Sequence, residues 1–358
     1  MAEFGWYRGV YTLRPFQGRG VFLFSRRRRD MEKRILSGMK PSGELNIGGY
    51  GGALSQFVAM QEKADCYFFI PDLHAVTVWQ DPRELRERSM EIAALYLAAG
   101  IDPKRSAVFF QSQVPAHAEL GWLMETQTAV GELGRMTQYK EKADGRESVS
   151  SALFTYPAYM AADILLYQAT HVPVGDDQKQ HLELARNLAV RFNSRFKKNL
   201  FTIPEPIIAG IGSRIMGLDD PSKKMSKSNP NRSSSILLMD EPDDIRRKFA
   251  KAVTDSEGVV RCDWDRKPGI SSLLEIYSVF SGMTIGDIES RYQGVGYGSF
   301  KEDLAEAVIA KLEPLQRSYR EIAGSEELDR VLKDGALRAA EAAAATLKAV
   351  KEAMGFVV

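Results

Sequence analysis

Apolar residues fall in short unbroken runs through the first part of the chain: Ile35-Leu36, Cys66-Tyr67-Phe68-Phe69-Ile70, Ala107-Val108-Phe109-Phe110 and His171-Val172-Pro173-Val174. Runs without polar alternation suit strands buried on both faces of a parallel sheet. Between them the apolar positions recur at helical spacing. Leu54, Phe57, Val58 and Gln61 share one face of a helix after the first strand. Pro82 opens a second helix, with Leu85, Ile92, Leu95 and Tyr96 inward and Gly100 at its end. Residues 115–139 read as helical with Trp122, Leu123, Leu133 and Met136 in the core, and 141–151 as a polar loop. Pro157 is expected to start a helix over 158–169, and a further helix is expected over 178–196. Strand, helix, strand at this spacing is a βαβ unit with a right-handed crossover. The fold class is therefore α/β, a Rossmann-like parallel sheet with helices on both faces. After Pro230 the pattern is helical, as in the alanine-rich stretch 339–345 and the Glu302–Glu306 pair, which suggests a bundle. The boundary is expected near 232–235, giving a catalytic domain over 34–232 and an all-α domain over 233–358.

Composition adds little to this picture. The 358 residues are 44% hydrophobic and 27% charged, with a formal net charge of +1, as in an ordinary globular protein with a sizeable core. No global basic field points to nucleic acid. Residues 191–251 hold 13 Lys and Arg against 7 Asp and Glu, a surplus of 6 that suits a phosphate-facing surface or an ordinary solvated helix face. Cys66 and Cys262 form no CxxC pair, so neither a structural metal nor a disulfide framework is expected, and a reducing cytoplasm fits. No apolar run approaches the roughly 20 residues of a bilayer span, so no membrane partner is expected. Residues 1–33 stand apart, with Arg8, Arg14, Arg19 and the run Arg26-Arg27-Arg28-Arg29, and Glu3 the sole acid before Asp30. An organelle-targeting peptide, a basic RNA-touching arm and an extension ahead of a start at Met31 compete as readings. The lack of serine richness and the strand that comes after Met31 favour the last, and the segment is expected to be disordered.

Candidate chemistry gathers in three places. Residues 37–52 carry six glycines and include Lys40-Pro41-Ser42 and Asn46-Ile47-Gly48-Gly49. Strand, glycine-rich loop and helix N-terminus is a geometry for holding nucleotide phosphate, although the spacing is neither GxGxxG nor GxxxxGK[ST]. Second, Ser222-Lys223-Lys224-Met225-Ser226-Lys227-Ser228-Asn229 lies between Pro221 and Pro230, which disfavour a continuous helix. Such a loop can close on a polyphosphate, and a solvated basic turn would have the same composition. Third, Tyr156, Met160, Asp163 and Tyr167 are spaced to lie along one helical stripe. A carboxylate there is costly unless it accepts from a donor, either a ligand or a neighbouring backbone or arginine group. Gly175-Asp176-Asp177 leads from strand to helix, where ligand groups collect, and one of the two acids suits an N-cap. No convincing Ser-His-Asp or Cys-His set is present.

Lys224-Met225-Ser226-Lys227-Ser228 matches the KMSKS loop of class I aminoacyl-tRNA synthetases, and the wider set of motifs resembles the bacterial-type tryptophanyl-tRNA synthetases. The blocks that carry this resemblance are the glycine stretch from Pro41 to Tyr50, Asp72-Leu73-His74-Ala75, Trp79-Gln80-Asp81-Pro82, Gly131-Glu132-Leu133, Arg135-Met136-Thr137-Gln138, Tyr156-Pro157, Met160-Ala161-Ala162-Asp163-Ile164-Leu165, Val172-Pro173-Val174-Gly175-Asp176-Asp177-Gln178-Lys179-Gln180-His181 and Arg214-Ile215-Met216. The resemblance implies that L-tryptophan attacks the α-phosphorus of ATP, that magnesium pyrophosphate leaves, and that the 2′-hydroxyl of tRNA(Trp) then takes the aminoacyl group. It implies Lys224, Lys227 and Lys142 as the catalytic cations. It places ATP against Lys40, Pro41, Ser42, Asn46, Gly48, Gly49, Gly175, Asp176, Asp177, Ile215 and the loop residues Met225, Ser226 and Ser228. It implies that Asp163 accepts the indole N–H, that Leu36, Met160, Val172 and Val174 line the ring slot with His74 beside it, and that Tyr156 and Gln178 hold the α-amino group. The resemblance further implies that Mg2+ enters with ATP, that the enzyme is a homodimer, and that the helical part reads the anticodon.

The sequence departs from the family pattern at four places. Asn46 and Gly49 stand at the signature histidine positions, Lys40 where Gln is usual and Leu36 where an aromatic is frequent. These departures leave room for an auxiliary or regulatory paralogue. A tyrosine-specific relative and a catalytically silent RNA-binding protein on the same scaffold are the rival readings, which exchange assays separate. Deletion of residues 1–30 is expected to leave the activity of the purified protein intact; its loss would overturn the reading of the leader.

Overall fold

The computed structural model describes residues 33–145, 148–175, 178–208, 215–225, 229 and 231–358. The basic leader, Asp176, Asp177, Arg214, Ser226, Lys227 and Ser228 lie outside the described residues. Five strands form one sheet: β1 (Arg34–Gly38), β2 (Asp65–Ile70), β3 (Ala107–Phe110), β4 (His171–Val174) and β5 (Glu205–Ile208). Every pairing is parallel and the order is β3-β2-β1-β4-β5. The chain works outward from β1 to β3, then crosses back to add β4 on the other side. That reversal opens a crevice at the carboxyl ends of β1 and β4, the usual ligand position in an open α/β sheet. The glycine stretch after β1 and Gly175 after β4 both begin there.

The helices are α1 (Ile47–Gly49), α2 (Ser55–Met60), α3 (Asp72–Ala75), α4 (Pro82–Ala98), α5 (Ala116–Glu125), α6 (Val130–Leu133), α7 (Thr137–Ala143), α8 (Ser151–Leu166), α9 (Lys179–Phe196), α10 (Pro242–Lys251), α11 (Pro268–Ser281), α12 (Ile285–Arg291), α13 (Tyr297–Ile322) and α14 (Glu326–Met354). A π-helical turn, Tyr50–Leu54, joins α1 to α2. Strand residues alternate between two buried clusters. Ile35, Cys66, Phe68, Ile70 and Val108 meet α4, α11 and α13 on one face; Leu36, Tyr67, Phe69, Phe109, Val172 and Val174 meet α5, α8, α9 and α14 on the other. Both faces being covered explains why the runs are apolar without alternation.

Several local expectations need correcting. α8 begins at Ser151, so Pro157 lies inside it; part of the expected 141–151 loop is helical at both ends. Residues 115–139 form α5 and α6 and open α7, with turns between them. Trp122 is 66% exposed on α5 and is no part of the core. β5 lacks the apolar signature of the other strands, because Glu205-Pro206-Ile207-Ile208 carries a charge and a proline; Pro206 is tolerated because β5 is an edge strand.

The division expected at 232/233 falls at a short 3-10 turn, Arg232–Ser234, and the chain beyond it is largely helical. The two stretches share their cores, since α11 and α13 join the sheet's first face and α14 its second. α14 lies directly on the edge strand β3. A Cβ at Gly335 would overlap the Val108 carbonyl, so only glycine permits this approach. Arg338 on the same helix donates to the Pro103 carbonyl at 2.8 Å. Among the described residues no helix is long and apolar enough to cross a membrane. Gly335→Ala is expected to lower stability by about 1–3 kcal/mol through overpacking. Gly298→Ala in α13, where an added Cβ meets nothing within 4 Å, should be neutral or slightly stabilising. Thermal unfolding of the two variants checks the contrast.

Candidate active site

The turn after β1 is held by its own polar groups and by the sheet. Met39 N donates to the Tyr96 hydroxyl at 2.7 Å, and Ser42 N to the Lys40 carbonyl at 2.8 Å. Asn46 caps α1, its Oδ1 accepting from Gly49 N at 3.0 Å. Asn46 Nδ2 is buried with no partner among the described residues, a donor waiting for an acceptor. At Gly49 the Leu45 side chain already fills the space of a Cβ, with Cδ1 at 2.6 Å, so the missing side chain leaves no void.

The lysine segment comes back to this turn. A Cβ at Gly48 would lie 3.7 Å from Ile215 Cβ and 3.8 Å from Met225 Cβ. Met225 N donates to the Ile215 carbonyl at 3.0 Å, and Met216 and Lys224 form an antiparallel bridge. Downstream, Ile47 N donates to the Ile236 carbonyl and Leu238 N to the Leu45 carbonyl, each at 2.9 Å. The segment is thus pinned on both sides of the loop, with Lys224 exposed.

Lys40 is half-buried, and Lys142, at the end of α7, is close enough to affect it. Burial, with the Lys142 charge as second cause, holds the Lys40 ammonium below its ordinary range. Neither lysine forms an ion pair among the described residues. Lys142 Nζ also sits 5.5 Å from the centre of the Tyr156 ring. The charge of Lys142 thus reaches the ammonium beside the glycine turn.

The third place is organised by Asp163, which is 1% exposed on α8. Its Oδ1 accepts from Gln111 Nε2 at 2.8 Å and pairs with His117 Nδ1 at 2.6 Å; its Oδ2 pairs with His74 Nε2 at 2.7 Å. Burial pushes this carboxyl up, but the His74 charge and the histidine hydrogen bonds outweigh it and hold Asp163 below its ordinary value. Among the described residues no arginine pairs with it. The expected wall of aromatics and Met is therefore only partly right: Asp163 has a polar nest behind it. Leu36, Val172 and Val174 lie in one buried cluster with the inner face of α8, and Met160 packs against it.

His74 stands edge-on to Tyr156 and Tyr159, with ring centres 6.2 and 5.4 Å away. The Tyr156 hydroxyl pairs with His181 Nε2 at 3.0 Å, and His181 Nδ1 with Gln178 Oε1 at 2.9 Å. Gln178 caps α9 and its N donates to the Gly175 carbonyl at 3.0 Å. One contiguous set thus runs from Asp163 through His74 and Tyr156 to Lys142 and Lys40. Sequence reasoning misses Gln111, His117 and His181 as partners. The signal available is their scarcity and placement: the chain has four histidines, and Gln111 directly succeeds β3 at its carboxyl end.

A family model described as tRNA synthetases class I (W and Y) matches residues 28–313. The chain belongs to this family. It is 56% identical to a tryptophan–tRNA ligase of Caldanaerobacter subterraneus over 91% of this chain and 99% of that one. A tryptophanyl-tRNA synthetase structure from Mycoplasma pneumoniae is 35% identical, with TM-score 0.84 over 91% of this chain and 98% of that chain. One from Campylobacter jejuni, complexed with ADP and tryptophan, is 35% identical, with TM-score 0.76 over 90% of this chain and all of that chain, 100%. The resemblance to the bacterial-type tryptophanyl-tRNA synthetases holds across nearly the whole chain.

Because the Lys40 ammonium is held below its ordinary range, binding of any anion beside it would be proton-linked. An anion beside it favours the charged form, so its affinity is greatest below the lowered value and falls as pH rises through it towards 10.5, the ordinary lysine value. Titration of pyrophosphate binding from neutral to alkaline pH is expected to show this decline in the wild type. Lys40→Gln should bind more weakly at neutral pH and lack that part of the decline.

Proposed function

We propose that this chain is a tryptophan–tRNA ligase: it activates L-tryptophan with ATP to tryptophanyl-adenylate and pyrophosphate, then transfers tryptophan to tRNA(Trp). The observation that carries the choice of amino acid is the desolvated Asp163 carboxylate on α8, whose inner face packs with Leu36, Val172 and Val174. An indole ring offers one N–H donor and no acceptor. A buried acceptor discriminates by being left unpaired when a ring without that donor enters. His74 stands beside the ring, Leu36, Met160, Val172 and Val174 line it, and Tyr156 and Gln178, joined by His181, receive the α-amino group.

ATP binds along the turn after β1. Lys40, Pro41, Ser42, Asn46, Gly48 and Gly49 cradle its phosphates, Gly175, Asp176 and Asp177 meet the ribose, and Ile215 and Met225 approach the adenine. The substrate carboxylate oxygen forms a bond to the α-phosphorus as the bond to the leaving pyrophosphate breaks. No protein nucleophile is needed, so catalysis is positioning and charge stabilisation. Lys142, Lys224 and Lys227, with Ser226 and Ser228 beside them, supply that charge. Mg2+ enters as part of the ATP substrate. Among the described residues no group of three or more His, Cys, Asp or Glu is placed to hold a metal of its own.

The helical stretch after 232 is the part we assign to anticodon recognition. The enzyme acts as a homodimer in the cytoplasm; exposed Trp79, Trp122 and Val130 supply apolar surface of the kind a second copy covers. The free thiols of Cys66 and Cys262 suit a reducing compartment.

ATP–pyrophosphate exchange with each standard amino acid tests the reading. Tryptophan alone is expected to drive exchange; exchange driven by tyrosine, or by none, would overturn it. Asp163→Ala is expected to weaken use of tryptophan by about 2–4 kcal/mol in kcat/KM. Unchanged tryptophan-dependent exchange in a folded Asp163→Ala protein would refute the role of Asp163.

A further inference from the structure

We propose that His117 is a positioning residue for amino-acid selection: set by the Tyr167 hydroxyl, its Nδ1–H fixes the Asp163 carboxylate so that Oδ2 keeps one acceptor direction for the substrate's ring N–H. This rests on the reading of Asp163 as the ring acceptor. An ionised carboxylate accepts about four hydrogen bonds. Oδ1 is filled by Gln111 at 2.8 Å and His117 at 2.6 Å, while Oδ2 has, among the described residues, His74 alone at 2.7 Å. The His74 side chain is 12% exposed and that of His117 is 0% exposed, so Oδ2 is the oxygen towards the accessible side.

The tautomer of His117 is set by Tyr167. The Tyr167 side chain is buried, and His117 Nε2, at 2.8 Å, is the one partner of its hydroxyl among the described residues. Burial pushes the phenol far above its ordinary range, so it stays O–H and its proton points at Nε2. In this arrangement Nε2 accepts from the phenol and Nδ1 carries the proton that faces Asp163. Phe69 and Phe109 flank the ring, with centres 5.8 and 6.2 Å away, and hold its plane. The other tautomer would aim a lone pair at the carboxylate.

Without this donor only Gln111 and His74 hold the carboxylate, which then turns about χ2 or takes up a proton more readily. Either change spoils the acceptor while leaving the apolar slot intact. His117 therefore governs the choice between a ring with an N–H and an isostere without one, more than ring binding as such.

The experiment is ATP–pyrophosphate exchange by the full chain with tryptophan and with 3-benzothienylalanine, in which sulfur replaces the ring N–H. The readout is the ratio of the two kcat/KM values in the wild type and in Asp163→Asn, His117→Leu, His117→Asn and Tyr167→Phe. The ratio is expected to fall about tenfold or more in Asp163→Asn and His117→Leu, mainly through the KM for tryptophan. His117→Asn, which offers an amide N–H near the Nδ1 position, should keep most of it, and Tyr167→Phe should fall between. A purely structural role for His117 would weaken both substrates alike and leave the ratio at the wild-type value, which overturns the proposal. An unchanged ratio in Asp163→Asn would instead overturn the ring-acceptor reading itself. Should His117→Leu fail to fold, the milder variants decide: a wild-type ratio in Tyr167→Phe overturns the relay, and a collapsed ratio in folded His117→Asn overturns the donor assignment.

Discussion

A carboxylate removed from water must be met by donors or it will not stay charged, and in this fold Asp163 imposes that demand on three separate segments. His74 comes from the turn after β2, Gln111 and His117 from the chain after β3, and Asp163 itself from α8. The carboxyl ends of β2 and β3 are thereby tied to the helix that covers them. A buried charge with one partner removed is strongly destabilising, so the cluster helps specify how α5 and α8 sit together. The proposed selection of substrate and the packing of these helices would draw on the same four side chains.

The second organising constraint is the reversal of strand order at β1. It brings a turn near the start of the sheet and a turn after β4 to one crevice, and it leaves the lysine segment to arrive from much later in the chain. Backbone pairing does the delivery: residues 45–47 bond to 236–238, and 215–216 to 224–225. The segment is thus anchored on both flanks of its loop, at the β1 turn and at residues 236–238. Half-buried Lys40 feels the charge of the exposed Lys142, but burial is the larger cause that holds its ammonium below the ordinary range.

Much of this is legible in the chain because the physics is local. Unbroken apolar runs mark β1 to β4, helical spacing marks α4 and α9, and glycines and lysines announce phosphate chemistry. The misreadings have specific reasons. Pro157 reads as a helix start, whereas Ser150 opens the helix and the proline is accommodated seven residues in. Trp122 reads as core on size alone, yet it faces outward. His117 does not stand out, because its partner Asp163 is 46 positions away and a lone histidine on an apolar helix carries no periodic signal. The Lys40–Lys142 proximity is illegible for the same reason: one lies after β1, the other at the end of α7, and only the folded crevice joins them.

The two margins of the sheet are protected by different means. Pro206 blunts one, while the other is roofed by α14 crossing at Gly335. A nascent chain that has completed β1 to β5 therefore still presents one bare strand, and stays prone to sticking to its neighbours until the last helix emerges from the ribosome and docks. The sheet and the distal helix belong to one cooperative unit, so a fragment cut at the apparent boundary near 232 inherits an unshielded margin and half of a shared interior.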